Sequence, residues 1–358
     1  MIAFAWMLFT IFYLFMVVIL SWQFNHYKNE GNESATSVSI IIAARNELEN
    51  LKLLVPELLK QNYEHFEIII ALDRCTDESL KFLNSITYDR LKFIEINNVP
   101  IEWNSKKYAL SEAINKAKSE WLLFTDADCI PLSKNWISSF TSQISDAIHI
   151  LIGYSPYRQE SSFLSSYIQF ESFHTGYLYL SAALSGRPYM AVGRNMAIRK
   201  TFFNSVSGYE TFKSALGGDD DLFIQKNATS HNTGIVMGKD SLVETYPKKT
   251  WKDYFIQKRR HLSIGSRYKP SHKLFLSLYH TSHFIFWIFL FFQTNYQIIT
   301  GVVLFYLFIK LGSYRFAASK MGAGFNYILL PLVDIGYAIL TPMIALWSKL
   351  EKDIRWKN

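Results

Sequence analysis

The chain has 358 residues, 49% of them hydrophobic and 16% aromatic, with a formal net charge of +7. Such an apolar excess points to one soluble domain joined to membrane segments rather than to two soluble domains. The two cysteines, Cys75 and Cys129, are too few for a disulfide framework and lack metal-ligand spacing. Basic residues gather at Lys248 to Lys273 beside apolar segments and without a nucleic-acid motif, so the expected partner is a membrane surface and not nucleic acid.

Met1 to Trp22 carries no charged side chain and is long enough to cross a hydrocarbon core, which takes about 20 residues. It has no basic leader and no small-x-small cleavage site, so it reads as a retained anchor. From Val38 the text alternates: the strand "VSIIIAA", the leucine-spaced helix "ELENLKLLVPELLKQN" in which Pro56 should make a kink or a new turn, and the strand "FEIIIAL". A polar stretch, the strand "LKFIEI", the helix "SKKYALSEAINKAK" and the strand "WLLFTDAD" follow. Repeated strand, helix, strand predicts an α/β fold with a doubly wound, mostly parallel sheet. A second apolar block starts near Leu274, with a hairpin expected to turn at Gln293 to Gln297. Pro331, Asp334 and Pro342 interrupt its last part, which leaves spanning, re-entry or a broken helix open, with incomplete spanning favoured.

In open α/β sheets ligands sit beyond the carboxyl ends of the strands. Arg45, Asn46 and Glu47 follow the first strand, Asp73 follows the second, and Asp126 with Asp128 follows "WLLF", so three polar clusters fall on one edge. Two carboxylates one residue apart repel each other and need a positive partner if buried. Turn and cap chemistry is the competing explanation for each of these acids.

The ordered motifs "SIIIAARNE", "ALDRCTDES", "SKKYAL", "FTDADC", "GGDDDLFIQ" and "QKRRH" resemble those of membrane-bound inverting glycosyltransferases of family 2, a group that includes ceramide glucosyltransferase and the catalytic subunits of cellulose and hyaluronan synthesis. The resemblance covers roughly Ser37 to His261 and implies a GT-A fold with a nucleotide-sugar donor. It places Asp126 and Asp128 on the donor phosphates and a divalent cation, Mg or Mn, with Asp128 the more direct ligand. Ala43, Arg45, Glu47 and Asp73 fall on the nucleotide-sugar side, and Lys106 near the donor phosphates. Asp219 takes the position of the base that deprotonates the acceptor hydroxyl. Asp221 takes that of a second acid, while Gly218 stands where the family has Glu, which leaves open whether Asp220 shares the work. Gln257 and Arg260 match a Gln-x-x-Arg-Trp motif whose Arg pairs with the diphosphate, with His261 replacing the Trp. Gly193 and Asn195 fall on an acceptor-side strand.

The expected organisation is an anchor at 1–22, a GT-A domain at 37–247, an amphipathic interfacial segment with the Gln-x-x-Arg motif at 248–273, a transmembrane or re-entrant region at 274–348, and a basic tail at 349–358. The implied activity is transfer of a sugar from a nucleotide diphosphate sugar, with a UDP-sugar the favoured donor, to a lipid or lipid-linked acceptor. The implied place is the plasma or inner membrane, with the catalytic domain facing the cytosol. A processive polysaccharide synthase is the alternative within the class, and a non-catalytic nucleotide-sugar-binding scaffold the alternative outside it.

Overall fold

In the computed structural model, residues 2–28, 31 and 35–350 are described. The basic tail beyond Leu350, with Lys352, Arg355 and Lys357, lies outside the described residues, as does Met1. The chain begins with α1 (Ile2–Gln23), β1 (Val38–Ala44), α2 (Leu48–Leu59), β2 (Phe66–Asp73), α3 (Ser79–Asn84), β3 (Leu91–Ile96), α4 (Ser105–Lys116) and β4 (Trp121–Phe124). Next come β5 (Cys129–Pro131), α5 (Trp136–Thr141), β6 (Ile150–Ile152), α6 (Phe163–Leu184), β7 (Met196–Arg199), α7 (Lys200–Ser205) and α8 (Asp221–Asn227). The remainder is β8 (Thr233–Ile235), β9 (Val243–Thr245), α9 (Trp251–Ile264), α10 (Pro270–Leu290), α11 (Tyr296–Met321) and α12 (Leu330–Leu350).

These elements fall into two compact units, one formed by residues 28–156 and 185–246, the other by 1–27, 157–184 and 247–358. The expected stretch 37–247 is therefore not continuous in space, because α6 leaves the sheet unit and joins the helices. The physical reason lies in its composition. Buried side chains line α6 almost all round, from Leu164 to Ala182, and a helix without a polar face needs apolar neighbours on every side.

In the sheet unit, seven strands run in the order β3-β2-β1-β4-β7-β6-β8, with β5 and β9 forming a separate ribbon. Strands β3, β2, β1 and β4 are mutually parallel, and β7 runs antiparallel to β4 and β6. Ile40, Ile42, Ile68 and Ile70 pack with Leu51, Leu54, Val55 and Leu58 of α2, while α4 packs on β1 and β2. Covering both faces is what lets these strands be apolar without alternation. Helix α2 continues through Pro56, so no separate helix starts there. The chain leaves β1 toward β2 on one side and returns to β4 on the other. The switch point between the ends of β1 and β4 is thus where a ligand belongs in this topology.

In the helical unit, three segments are long and apolar enough to cross a membrane among the described residues: Trp6–His26, Tyr296–Met321 and Tyr327–Leu350. The connection between α10 and α11 runs over 291–295 and overlaps the expected Gln293 to Gln297, with Tyr296 and Gln297 already in α11, but α10, which carries Ser, His and Lys in its first two thirds, is not among the three. The proline-interrupted segment is one continuous helix, α12, with Pro331 in its first turn and Pro342 inside it. Asp334 does not break it because its carboxylate is satisfied. It pairs with Lys310 of α11 and accepts from Trp287 Nε1 at 3.1 Å, and His283 Nε2 lies 3.2 Å away. Lys310 also donates to Tyr13 Oη of α1 at 2.6 Å, so one buried ion pair ties four helices together.

Candidate functional site

At the switch point, β4 ends at Phe124 and the chain turns, with Cys129 N–H donating to the Asp126 carbonyl at 3.2 Å. Asp128 is then fixed from behind by the ribbon, where Thr245 Oγ1 of β9 donates to its carbonyl at 3.1 Å. The turn presents Asp126 partly buried and Asp128 exposed, with the apolar Ala127 between them turned inward.

The positive partner that two neighbouring carboxylates call for is Lys106, in the first turn of α4. Its ammonium is 2.9 Å from Asp126 Oδ1 and 3.1 Å from Asp219 Oδ2. One cation thus joins the acid after β4 to the acid before α8. Burial works against the charge on Lys106, but Asp126 and Asp219 outweigh it and hold the ammonium well above the usual lysine range. Burial likewise pushes the Asp219 carboxyl up, and the ammonium groups of Lys106 and Lys107 more than reverse this, leaving it below its ordinary value.

Lys107, its neighbour, was not singled out in the sequence and has a different task. Fully buried, it donates to the carbonyls of Ala215 at 2.6 Å and Gly217 at 2.7 Å, so it clamps the loop that delivers Asp219. Helical phase is the signal that could have separated the two lysines, since adjacent residues on α4 point about 100° apart. Asp220 is held by backbone on both oxygens: Gly193 N–H donates to Oδ2 at 2.8 Å and Asp221 N–H to Oδ1 at 2.7 Å. Gly193 sits so close that a Cβ there would be 3.1 Å from Asp220 Oδ2. Asn195 is wholly buried and structural, donating to Tyr154 and Ser241 carbonyls and accepting from Trp136 Nε1 at 2.9 Å.

Gly218 has no room for a side chain. Its φ is +75°, and an added Cβ would lie 2.6 Å from Leu222 Cγ. Gly218→Glu is expected to destabilise the chain by more than about 1 kcal/mol, read as a lowered thermal midpoint. An unchanged midpoint would mean that the loop has another conformation open to it.

Asp73 is buried and its carboxylate is taken by the next residue, Arg74, through Nε at 2.7 Å and a terminal nitrogen at 3.1 Å. Ala43 lies within β1, paired in register with Ala71, and Arg45 is exposed just after it. Glu47 precedes α2 and accepts from the Asn50 amide. The loops after β1 and β2 are braced against each other by Asn46 of the expected polar cluster and by Asp77, which the sequence did not single out: Asn46 Oδ1 accepts from Thr76 N–H at 2.7 Å, and Asp77 accepts from Leu48 N–H at 3.0 Å. Asp221 opens α8, partly buried. Gln257 and Arg260 lie on α9 in the helical unit, both partly buried. The structure therefore brings Lys106, Asp126, Asp128 and Asp219 together, whereas Asp73 stands one strand further out and the Gln-x-x-Arg residues belong to the other unit.

For a divalent cation, the donors at hand are Asp126, Asp128 and the Cys129 thiol, whose ligand atoms lie within 4.8 Å of one another. Two carboxylates suit a hard cation such as Mg or Mn. The thiol suits it less: burial, then the Asp128 and Asp126 charges, push it well above the usual thiol range, so it stays protonated.

Residues 35–263, more than half of the chain, match the model of the glycosyltransferase like family 2. Over 133 residues the chain is 32% identical to the UDP-Glc:alpha-D-GlcNAc-diphosphoundecaprenol beta-1,3-glucosyltransferase WfaP of Escherichia coli, a match covering 36% of this chain and 48% of that protein. The chain thus spans about half the length of this relative. Among solved structures it resembles the mannosyltransferase PcManGT from Pyrobaculum calidifontis in complex with GDP-Man and Mn2+, at a TM-score of 0.64 and 14% identity, over 97% of this chain and 99% of that one. That likeness shows the fold, the expected GT-A arrangement with its mostly parallel sheet. Family match, fold and an acid-lysine-acid site at the switch point agree, and the chain belongs to the family 2 glycosyltransferases.

Proposed function

We propose that the chain is a membrane-anchored inverting glycosyltransferase that moves one sugar from a nucleotide diphosphate sugar to the hydroxyl of a lipid-linked acceptor. The observation that carries this reading is the bridge of Lys106 between Asp126 and Asp219, which sets a donor-phosphate carboxylate and a candidate base on either side of one ammonium. Asp219, buried yet charged, takes the proton of the acceptor hydroxyl as that oxygen attacks the anomeric carbon, and the nucleotide diphosphate departs from the opposite face. Lys106 is placed to exchange its carboxylate partners for donor phosphate oxygens. A divalent cation held by Asp126 and Asp128 would neutralise charge on the leaving diphosphate.

The matched portion of WfaP, whose name specifies a UDP-glucose donor and a diphosphoundecaprenol-linked acceptor, supports a UDP-sugar and a lipid-linked acceptor here. The apolar helices and the basic residues from Lys248 to Lys273 support a place at the plasma or inner membrane, with the sheet unit on the cytosolic side. Arg260 on α9 is assigned to the donor diphosphate and Gln257 to its support, by their match to the family motif. His261 in place of Trp offers a smaller platform for a growing sugar chain, which favours single transfer over polymer synthesis.

The test is mass spectrometry of lipid products after incubating purified protein with nucleotide sugars, a lipid extract and Mg or Mn, with chelator in a parallel reaction. One added hexose or hexosamine mass, absent in chelator, is expected. A ladder of additions would replace single transfer by a synthase, full yield in chelator would remove the metal, and no donor turnover at all would leave the scaffold reading.

A further inference from the structure

Glu171, in the middle of α6, is 4% exposed. A carboxylate so enclosed costs several kcal/mol unless it is paired, and both of its partners come from α9. Tyr254 Oη donates to Oε2 at 3.0 Å, and the Lys258 ammonium pairs with Oε1. Tyr254 and Lys258 are four residues apart and so share one face of α9. Tyr167, one turn before Glu171 on α6, extends the same contact: its ring meets Tyr254 edge-on at 5.6 Å and Trp251 at 5.5 Å. A second grip comes from α12, where the Arg259 guanidinium lies 4.7 Å from the centre of the Trp347 ring.

Neither grip uses Gln257 or Arg260, although Lys258 and Arg259 stand between them in sequence. On an α-helix a slip of one residue turns every side chain by about 100° and would take both Tyr254 and Lys258 off Glu171. Apolar packing alone tolerates such a slip better than a buried charge does, because only one rotation of α9 leaves Glu171 satisfied.

We propose that Glu171 is a positioning residue for the Gln-x-x-Arg segment: by holding Tyr254 and Lys258 it fixes the rotation of α9, and with it the direction in which Arg260 meets the donor diphosphate. This rests on the assignment of Arg260 to the diphosphate given above. Glu171 touches no substrate in this role, so its loss is felt in nucleotide affinity and donor KM while kcat is kept.

The experiment measures UDP binding, with GDP in parallel, and the donor KM and kcat of the full chain in detergent, for the parent, Arg260→Ala, Glu171→Gln and the double variant. Arg260→Ala should weaken nucleotide binding by about 10-fold or more, the worth of a charge-assisted contact to phosphate. Glu171→Gln should weaken it by about 5-fold with kcat nearly unchanged, and the double variant should be no weaker than Arg260→Ala, since the two effects share one route. If Arg260→Ala binds nucleotide like the parent, the assignment of Arg260 fails and the proposal with it. If Arg260→Ala loses affinity but Glu171→Gln does not, or if the two losses add, Glu171 does not act through Arg260 and the proposal alone is overturned. Tyr254→Phe, which removes one hydroxyl and leaves the charge pair, should raise the donor KM in the same direction. It decides the matter if Glu171→Gln elutes as aggregate, and an unchanged KM would then count against the proposal.

Discussion

Asp219→Asn is expected to lower kcat by about 100-fold or more while nucleotide binding stays within about a factor of two, the pattern of a lost general base. The neighbouring acid makes this a sharp test, because "GGDDDL" offers three aspartates in a row. Both oxygens of Asp220 are bound by backbone N–H groups, those of Gly193 and Asp221, so it caps α8 and pins the Gly193 turn. It cannot turn toward a substrate without abandoning them. Burial, and then the charge of Asp219, also raise the Asp220 carboxyl above its ordinary value, whereas Asp219 is held below it. The ammonium of Lys106 beside Asp219 favours its charged form, whereas the carboxylate of Asp220 is already committed to two backbone N–H groups. Asp220→Asn replaces one acceptor oxygen by an NH2 facing a donor, which should cost about 1 kcal/mol of stability and leave most of kcat. If Asp220→Asn is instead the inactive variant and Asp219→Asn turns over normally, the base has been placed one residue too early.

What the sequence could say about this protein depended on how local the governing physics was. Strand β1 falls where the apolar run "VSIIIAA" puts it and β2 adds only Asp73 to its run, because a strand covered on both faces needs continuous hydrophobicity and nothing remote, while the edge strand β3 matches the mixed run "LKFIEI" with its side chains only partly buried. At Pro56 the missing donor does not end the helix, because α2 packs Leu54, Val55 and Leu58 into the core on either side of it. The departure of α6 from the sheet unit had only a weak signal, because Gln169, Glu171, His174 and several serines are scattered among its aromatic and aliphatic residues and gather on no one face. At the site the sequence indicated which strand ends carry acids and could not indicate how they are shared. That one lysine spans Asp126 and Asp219, across 93 positions of chain, follows from the crossover that lays α4 beside the end of β4. The clamp on α9 was invisible for the same reason: Glu171 and Lys258 are brought together by the packing of α6 and α9, and Glu171 lies in no motif.

Lys106→Met should lower kcat/KM by about 100-fold and move the acid limb of the pH–activity profile upward. Methionine keeps the length and apolar stem of the lysine, so the change removes mainly the charge. Asp126 and Asp219 would then lose the ammonium that lies 2.9 and 3.1 Å from them. Loss of one preorganised cation facing the leaving diphosphate costs about 100-fold or more in turnover, which sets the expected size, and the partly exposed setting of Lys106 and Asp126, 22% and 32%, keeps it at the lower end. The sign of the pH effect follows from Asp219, whose carboxyl is below its ordinary value in the folded chain. In the parent the base therefore keeps its charge, and the activity, to a lower pH than an ordinary aspartate would. Without Lys106 the desolvation of Asp219 is opposed chiefly by Lys107, its carboxyl rises, and the base takes up its proton at a higher pH. The defect should be deepest in acid and shrink toward alkaline pH, while Lys106→Arg, which retains the charge, should keep the parental acid limb. A Met variant whose acid limb does not move would show that the charge state of the base is set elsewhere, and that Lys106 serves the donor phosphates alone.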